Sequence, residues 1–141
     1  MRILAVAFVT IVLAQAAGPY RGDWAAEFHG TTYIRLAVND GGSTPEGAMS
    51  IGQSIHVDKQ GDIDDASEAA ATLTPLLDVR RSGDALSFSY KTGDGDIDKF
   101  ELRLIDANTA ELTLLLSDED RRELASDGIP PPKPFRLVKS R

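Results

Sequence analysis

The stretch TGDGDIDKFE, residues 92–101, sets Asp94, Asp96 and Asp98 at alternate positions, the spacing with which a calcium loop opens. Such a loop takes oxygen ligands at positions 1, 3 and 5, a glycine at 6 for its sharp turn and a bidentate Glu at 12. Counted from Asp94, position 6 is Lys99 and position 12 is Ile105, so the match fails where geometry demands most. Gly93-Asp94-Gly95-Asp96 instead suits a hairpin turn, because Gly and Asp tolerate left-handed backbone. A weak surface cation site shared with the acidic cluster Asp62, Asp64 and Asp65 is the one metal reading left, and no metal ligand set or cofactor is expected. His29 and His56 are the only histidines, without the close spacing that a zinc site uses. Nucleophilic catalysis finds no cysteine and no Gly-x-Ser-x-Gly elbow. Asp23 and Glu27 pair two carboxylates only on the polar side of one strand. A non-enzymatic protein is therefore expected, with a hydrolase or isomerase site at a barrel mouth as the weakest alternative.

These residues must be positioned by a single domain. The chain has 141 residues, 42% apolar and 26% charged, the balance of a globular protein that buries a core. Its start, MRILAVAFVTIVLAQAAGPY, reads as a signal peptide: Arg2, an apolar run from Ile3 to Leu13, and Ala14-Gln15-Ala16 as a small-x-small cleavage site. Residues 1–16 are expected to be removed, leaving 17–141 as one β-barrel domain with a periplasmic or secreted destination. The apolar run is shorter than the roughly 20 residues a bilayer requires, so no membrane association is expected after cleavage. Loss of Arg2 takes the formal charge from −7 to −8. An acidic surface of this kind opposes nucleic-acid phosphates and anionic lipid. Without cysteine, the exported domain stands on its core alone.

Period-two alternation dominates the remainder, the mark of strands with one buried face. Trp24, Ala26 and Phe28 share a face, opposed by Asp23, Ala25 and Glu27. His29-Gly30-Thr31 turns the chain into Ile34, Leu36 and Val38, opposed by Tyr33, Arg35 and Ala37. Asn39-Asp40-Gly41-Gly42 is a hairpin signal. Met49 and Ile51, then Ile55 and Val57, mark two strands or one broken near Gly52, with His56 on the wet face. Residues 61–75 lose the alternation; Asp65 with Glu68 resembles a capping box, and a short helix or helix-prone loop is expected before Pro75. Alternation returns in Leu77 and Val79, in Leu86, Phe88 and Tyr90, in Phe100, Leu102 and Leu104, and in Ala110, Leu112, Leu114 and Leu116. Ser117 then caps a short helix that ends at Gly128 and packs through Leu124 on the outside of the barrel. Pro130, Pro131, Pro132 and Pro134 stiffen the link to a last strand, Phe135 to Lys139. The whole predicts an all-β, antiparallel up-and-down meander of about eight or nine strands, closing into a small barrel, with one short helix before the last strand.

Gly22-Asp23-Trp24, opening the first strand of such a meander, resembles the first-strand signature of the calycins, the barrels that include lipocalins and avidins. The resemblance implies that Trp24 sits at a closed end of the barrel and that an Arg from the last strand, here Arg136, covers it. The short helix before a final strand is also similar to the lipocalin order. Biotin binding of the avidin kind depends on several further tryptophans, and Trp24 is the only one present.

A lipocalin-like protein enclosing a small apolar or amphipathic molecule is the function this reading implies. Inward Phe28, Met49, Phe88, Tyr90, Phe100 and Leu102 would take ligand surface out of water, with 61–75 as a lid. The same residues could fill the interior of a small barrel completely. The alternative is thus an accessory domain with a solid core that contacts another exported protein.

Overall fold

The computed structural model describes residues 18–140, so the expected signal peptide lies outside the described residues. Eleven strands and one helix follow in order: β1 (Gly22–Phe28), β2 (Thr31–Asn39), β3 (Glu46–Ile51), β4 (Ile55–Val57), β5 (Ile63–Ala66), β6 (Thr74–Pro75), β7 (Leu77–Ser82), β8 (Ala85–Lys91), β9 (Ile97–Asp106), β10 (Thr109–Leu115), α1 (Asp118–Ser126) and β11 (Phe135–Lys139). Nine strands form one antiparallel sheet in the order β6-β3-β2-β1-β11-β10-β9-β8-β7. β4 and β5 pair separately as a hairpin.

The two edge strands, β6 and β7, are separated in sequence by Leu76 alone. One bent segment therefore pairs with β3 at its start and with β8 over the rest, bringing the sheet to a nearly closed barrel. Its bend is local: Asp78 has φ of 50° and the register with β8 shifts between Leu77 and Arg80. That shift changes which residues face in. Leu76 and Val79 pack on the core while Leu77 is exposed, where simple alternation pairs Leu77 with Val79. Arg81 latches the seam from the outside by donating through Nη2 to the carbonyls of Asp40 and, at 3.4 Å, Gly42 in the β2–β3 turn.

The inward faces make one apolar cluster. Ile34, Met49, Leu102, Ala110, Leu112 and Leu137 retain no accessible surface. A side chain bordering a water-sized void would keep some, so the barrel is filled around these residues, as small barrels are. Phe88 and Phe100 stack with centroids 5.8 Å apart within the same cluster.

Most strands fall where alternation places them, and the departures have identifiable causes. Tyr33 is buried against Phe135 although it belongs to the outward series of β2. Ala26 pairs with Ile34 and Glu27 with Thr32, so Tyr33 is the extra residue of a β-bulge, which re-aims its ring inward. The helix-prone stretch 61–75 forms no helix. Residues 63–66 pair with β4, and beyond them Ala69 donates its N–H to Thr32 across the chain. Donors spent on neighbouring strands are not available to an i→i−4 ladder, and tertiary pairing overrides the local preference of the alanines.

The turns behave as the sequence predicts. His29 and Gly30, with φ of 48° and 83°, join β1 to β2 in the left-handed conformations a two-residue hairpin requires. Thr92 and Gly95 close the β8–β9 turn: Thr92 N–H donates to Asp96 at 2.8 Å and Gly95 N–H to Thr92 at 3.0 Å. The aspartates of TGDGDIDKFE are thus hairpin residues. Among the described residues no helix is long and apolar enough to cross a membrane.

Candidate ligand groove at the barrel mouth

The connections divide between two ends of the barrel. One end carries the β2–β3, β7–β8 and β9–β10 turns beside Trp24; the other carries the β1–β2 and β8–β9 turns, the β4–β5 hairpin and α1. This second end is the mouth. An open groove of about 500 Å³ lies there, lined by Ile51, Ile55 and Val57 from β3 and β4, Asp98 and Phe100 from β9, Leu114 and Leu116 from and beyond β10, and Phe135 from β11. Asp120, Glu123, Leu124 and Asp127 of α1 and its C-cap, with Ile129, Pro130 and Pro132, complete the wall. The volume falls within the several-hundred-Å³ range of small-molecule sites.

Local chemistry builds each wall. Just after β3, position 52 must be glycine, because a Cβ there would stand 2.0 Å from the Ser67 carbonyl oxygen. The chain then enters β4, held by Ser67 N–H to the Ser54 carbonyl at 2.8 Å and Ser54 N–H to Ser67 Oγ at 2.9 Å. At the hairpin tip, Asp58 Oδ1 accepts from the N–H groups of Gln60 and Asp62. The tip is clasped to the proline segment: Lys133 N–H donates to the Gly61 carbonyl at 3.1 Å, and Lys133 Nζ meets both Asp62 oxygens at 3.0 and 3.1 Å. Hairpin and proline segment thereby form one continuous rim. Ser117 caps α1, its Oγ accepting from Asp120 N–H at 3.1 Å, and Gly128 ends it with φ of 69°. The helix buries no residue completely, and its Leu124 turns into the groove, so α1 flanks the mouth.

Electrostatically the groove is one-signed. Its floor is Phe100, Leu114 and Phe135, and its charged lining is Asp98, Asp120, Glu123 and Asp127. Asp98 shares the inward face of β9 with Phe100. Burial raises its pKa above the ordinary carboxylate range, and repulsion from Asp96 and Asp120 adds to the rise.

The six interior candidates separate in space. Phe100 lines the mouth groove; Tyr90 lines adjoining depressions with Ile51 and Gln53, one of which also holds Asp94, Asp96 and Asp98. Met49, Phe88 and Leu102 are packed in the core, and Phe28 is half-buried against it, edge-on to His29. The segment 61–75 divides, with its first part in the hairpin behind the groove wall and Glu68, Ala70, Thr72 and Thr74 beside Ser50 and Tyr90. Residues that sequence reasoning left out of the site are Ile51, Leu114 and Phe135 of the apolar floor and the acids Asp98, Asp120, Glu123 and Asp127. Asp98 had a usable signal, since it falls in the same alternation as Phe100.

At the opposite end from the groove, Gly22 and Trp24 of β1 lie beside the last strand, and Lys139 is the cation over the indole, 5.5 Å from its centroid. Arg136 is exposed on the outer face with Ala25, Glu27 and Val138. The cause is parity: Phe135, Leu137 and Lys139 point inward, so Arg136 points out. Trp24 Nε1–H donates to the Tyr20 carbonyl at 2.9 Å, and Tyr20 N–H to the buried Asp40 carboxylate at 3.0 Å.

The aspartates of the 61–65 stretch are engaged with their own neighbours and do not gather with those of the β8–β9 turn. Asp62 is spent on Lys133, Asp64 on His56, and Asp65 on the N–H of Ala66. Among the described residues no group of three or more His, Asp and Glu side chains is arranged to hold a metal.

Fold and site together define an all-antiparallel, nearly closed barrel with a filled interior and an apolar, acid-rimmed groove at one mouth. No protein-family model, no curated protein and no solved structure matches the chain.

Proposed function

We propose that this is an exported, periplasmic or secreted binding protein of lipocalin-like, calycin-type build that takes a small apolar or amphipathic molecule at the mouth of its barrel. The observation that carries the reading is the apolar floor of the groove: Ile51, Phe100, Leu114 and Phe135 are drawn from four strands and walled by hairpin, helix and proline segment. The packed core at Met49 and Leu102 favours a seat at the mouth over one deep in the barrel. A ligand burying about 200 Å² of apolar surface gains about 5 kcal/mol before ordering costs, which corresponds to a Kd of about 0.2 mM at best from the apolar contact alone. Native mass spectrometry of protein purified from its host, with a thermal-shift panel of apolar ligands, tests it. A co-purified small molecule or saturable stabilisation is expected; absence of both sinks the carrier reading.

The second reading is a non-enzymatic accessory domain that meets another exported protein. It is favoured by Ile97, Ile105, Leu115 and Val138, which stand exposed on the outside of β9, β10 and β11. Charge substitutions at Leu115 and Val138 would abolish such a contact while leaving ligand stabilisation untouched.

A further inference from the structure

The mouth groove is lined by four carboxylates and by no lysine or arginine. Asp98, Asp120, Glu123 and Asp127 make no ion pair among the described residues, and Lys133 on the neighbouring wall has its ammonium committed to Asp62. An anionic ligand would meet repulsion from all four. A neutral one would strip water from them without compensation, which costs free energy when a charged group loses its solvation. A cation attached to an apolar body answers both conditions, covering the apolar floor and neutralising the acidic rim.

We propose that the occupant of this groove is a small cationic amphiphile, an amine or quaternary ammonium joined to an apolar body, with its charge on the Asp98 and Asp120 carboxylates and its body against Ile51, Phe100, Leu114 and Phe135. The inference rests on the groove being a ligand site. The four acids line the same groove as the apolar floor, and the volume of about 500 Å³ suits one small molecule.

The test is a matched series with one tail and three head groups: octylammonium, 1-octanol and octanoate, titrated at low salt into isotopically labelled protein and followed by NMR. Octylammonium is expected to bind about tenfold more tightly than 1-octanol, with octanoate weakest and the largest shifts at the groove residues. Added salt should narrow the gap between the charged and neutral ligands. The double variant Asp98→Asn with Asp120→Asn should weaken octylammonium severalfold and leave 1-octanol bound at least as tightly as before, a contrast that a folding defect would not produce. Octanol binding as tightly as octylammonium overturns the charge assignment and leaves the groove reading standing. Failure of all three ligands to shift groove resonances overturns both. Binding of a basic amphipathic peptide where octylammonium fails overturns the small-molecule assignment.

Discussion

Lys139 holds its ammonium 5.5 Å from the centroid of the Trp24 ring, and the same two residues are Cα partners across β1 and β11. The contact therefore sits on the pairing that joins the first strand of the sheet to the last. Lys139→Ala is expected to cost about 0.5–2 kcal/mol, the range of a partly desolvated cation–π contact. Arg136→Ala, on the outer face, should stay within about 0.5 kcal/mol of the parent. Trp24→Ala should cost about 3–5 kcal/mol through the cavity it leaves. Urea unfolding followed by circular dichroism ranks the three, and a larger loss at Arg136 than at Lys139 would contradict the assignment.

Arg81 spans the seam between β7 and the β2–β3 turn. Its removal leaves the Asp40 carbonyl without that donor, and Arg81→Ala is expected to cost about 1–3 kcal/mol. Hydrogen exchange should then speed up in residues 74–82 before it does in β9 and β10. Uniform acceleration over the whole sheet would show that the latch is not local.

Gly52 admits no side chain, because the Ser67 carbonyl lies 2.0 Å from where a Cβ would stand. Gly52→Ala should push the β4–β5 hairpin off the mouth at a cost of about 1–3 kcal/mol. Since Ile55 and Val57 form part of the groove wall, ligand affinity should fall while the far-UV spectrum of the barrel persists. Unchanged affinity would remove the hairpin from the site.

Asp98 holds its proton more tightly in the folded protein than in the unfolded chain, first because burial disfavours the carboxylate and then because Asp96 and Asp120 repel it. Its contribution to stability is complete below the unfolded carboxylate range and is lost as pH rises through the folded value. Asp98→Asn removes the charge at every pH. The variant should melt above the parent at pH 7 and together with it at pH 3; equal melting at both would mean that Asp98 is solvated like a surface acid.

Calcium titration checks the β8–β9 turn. Its backbone bonds between Thr92, Gly95 and Asp96 need no ion, so millimolar calcium should move stability by less than about 0.5 kcal/mol. A saturable rise well above that would reopen the metal reading of Asp94 and Asp96.

Where residue alternation and turn chemistry agree, the fold was legible: the faces of β1, β8, β9 and β10, the cap at Ser117 and the bounds of β11 follow from the sequence directly. It was illegible where a long-range partner reassigns backbone donors, as in β5, or where one extra residue shifts parity, as at Tyr33. The cover over Trp24 shows the same sensitivity, since inward and outward cations of β11 differ by a single step along the strand. The groove was harder still. Its apolar residues are visible one strand at a time, yet the rim that walls them depends on the Lys133 clasp to Asp62 and Gly61, a contact between segments that no local pattern connects.

The pairing of β1 with β11 also has a kinetic meaning. Its partners stand at opposite extremes of the described chain, so the loop that must close to bring them together is the longest in the barrel. Contacts of such separation slow folding, because chain entropy is lost before they repay it. The neighbouring hairpins can zip from their turns; this pair must wait for them. Trp24, the sole tryptophan, lies in that pairing as well as in the core, so its fluorescence reaches the native value only when the barrel closes, and refolding followed by this signal should lag behind the growth of strand structure seen by circular dichroism.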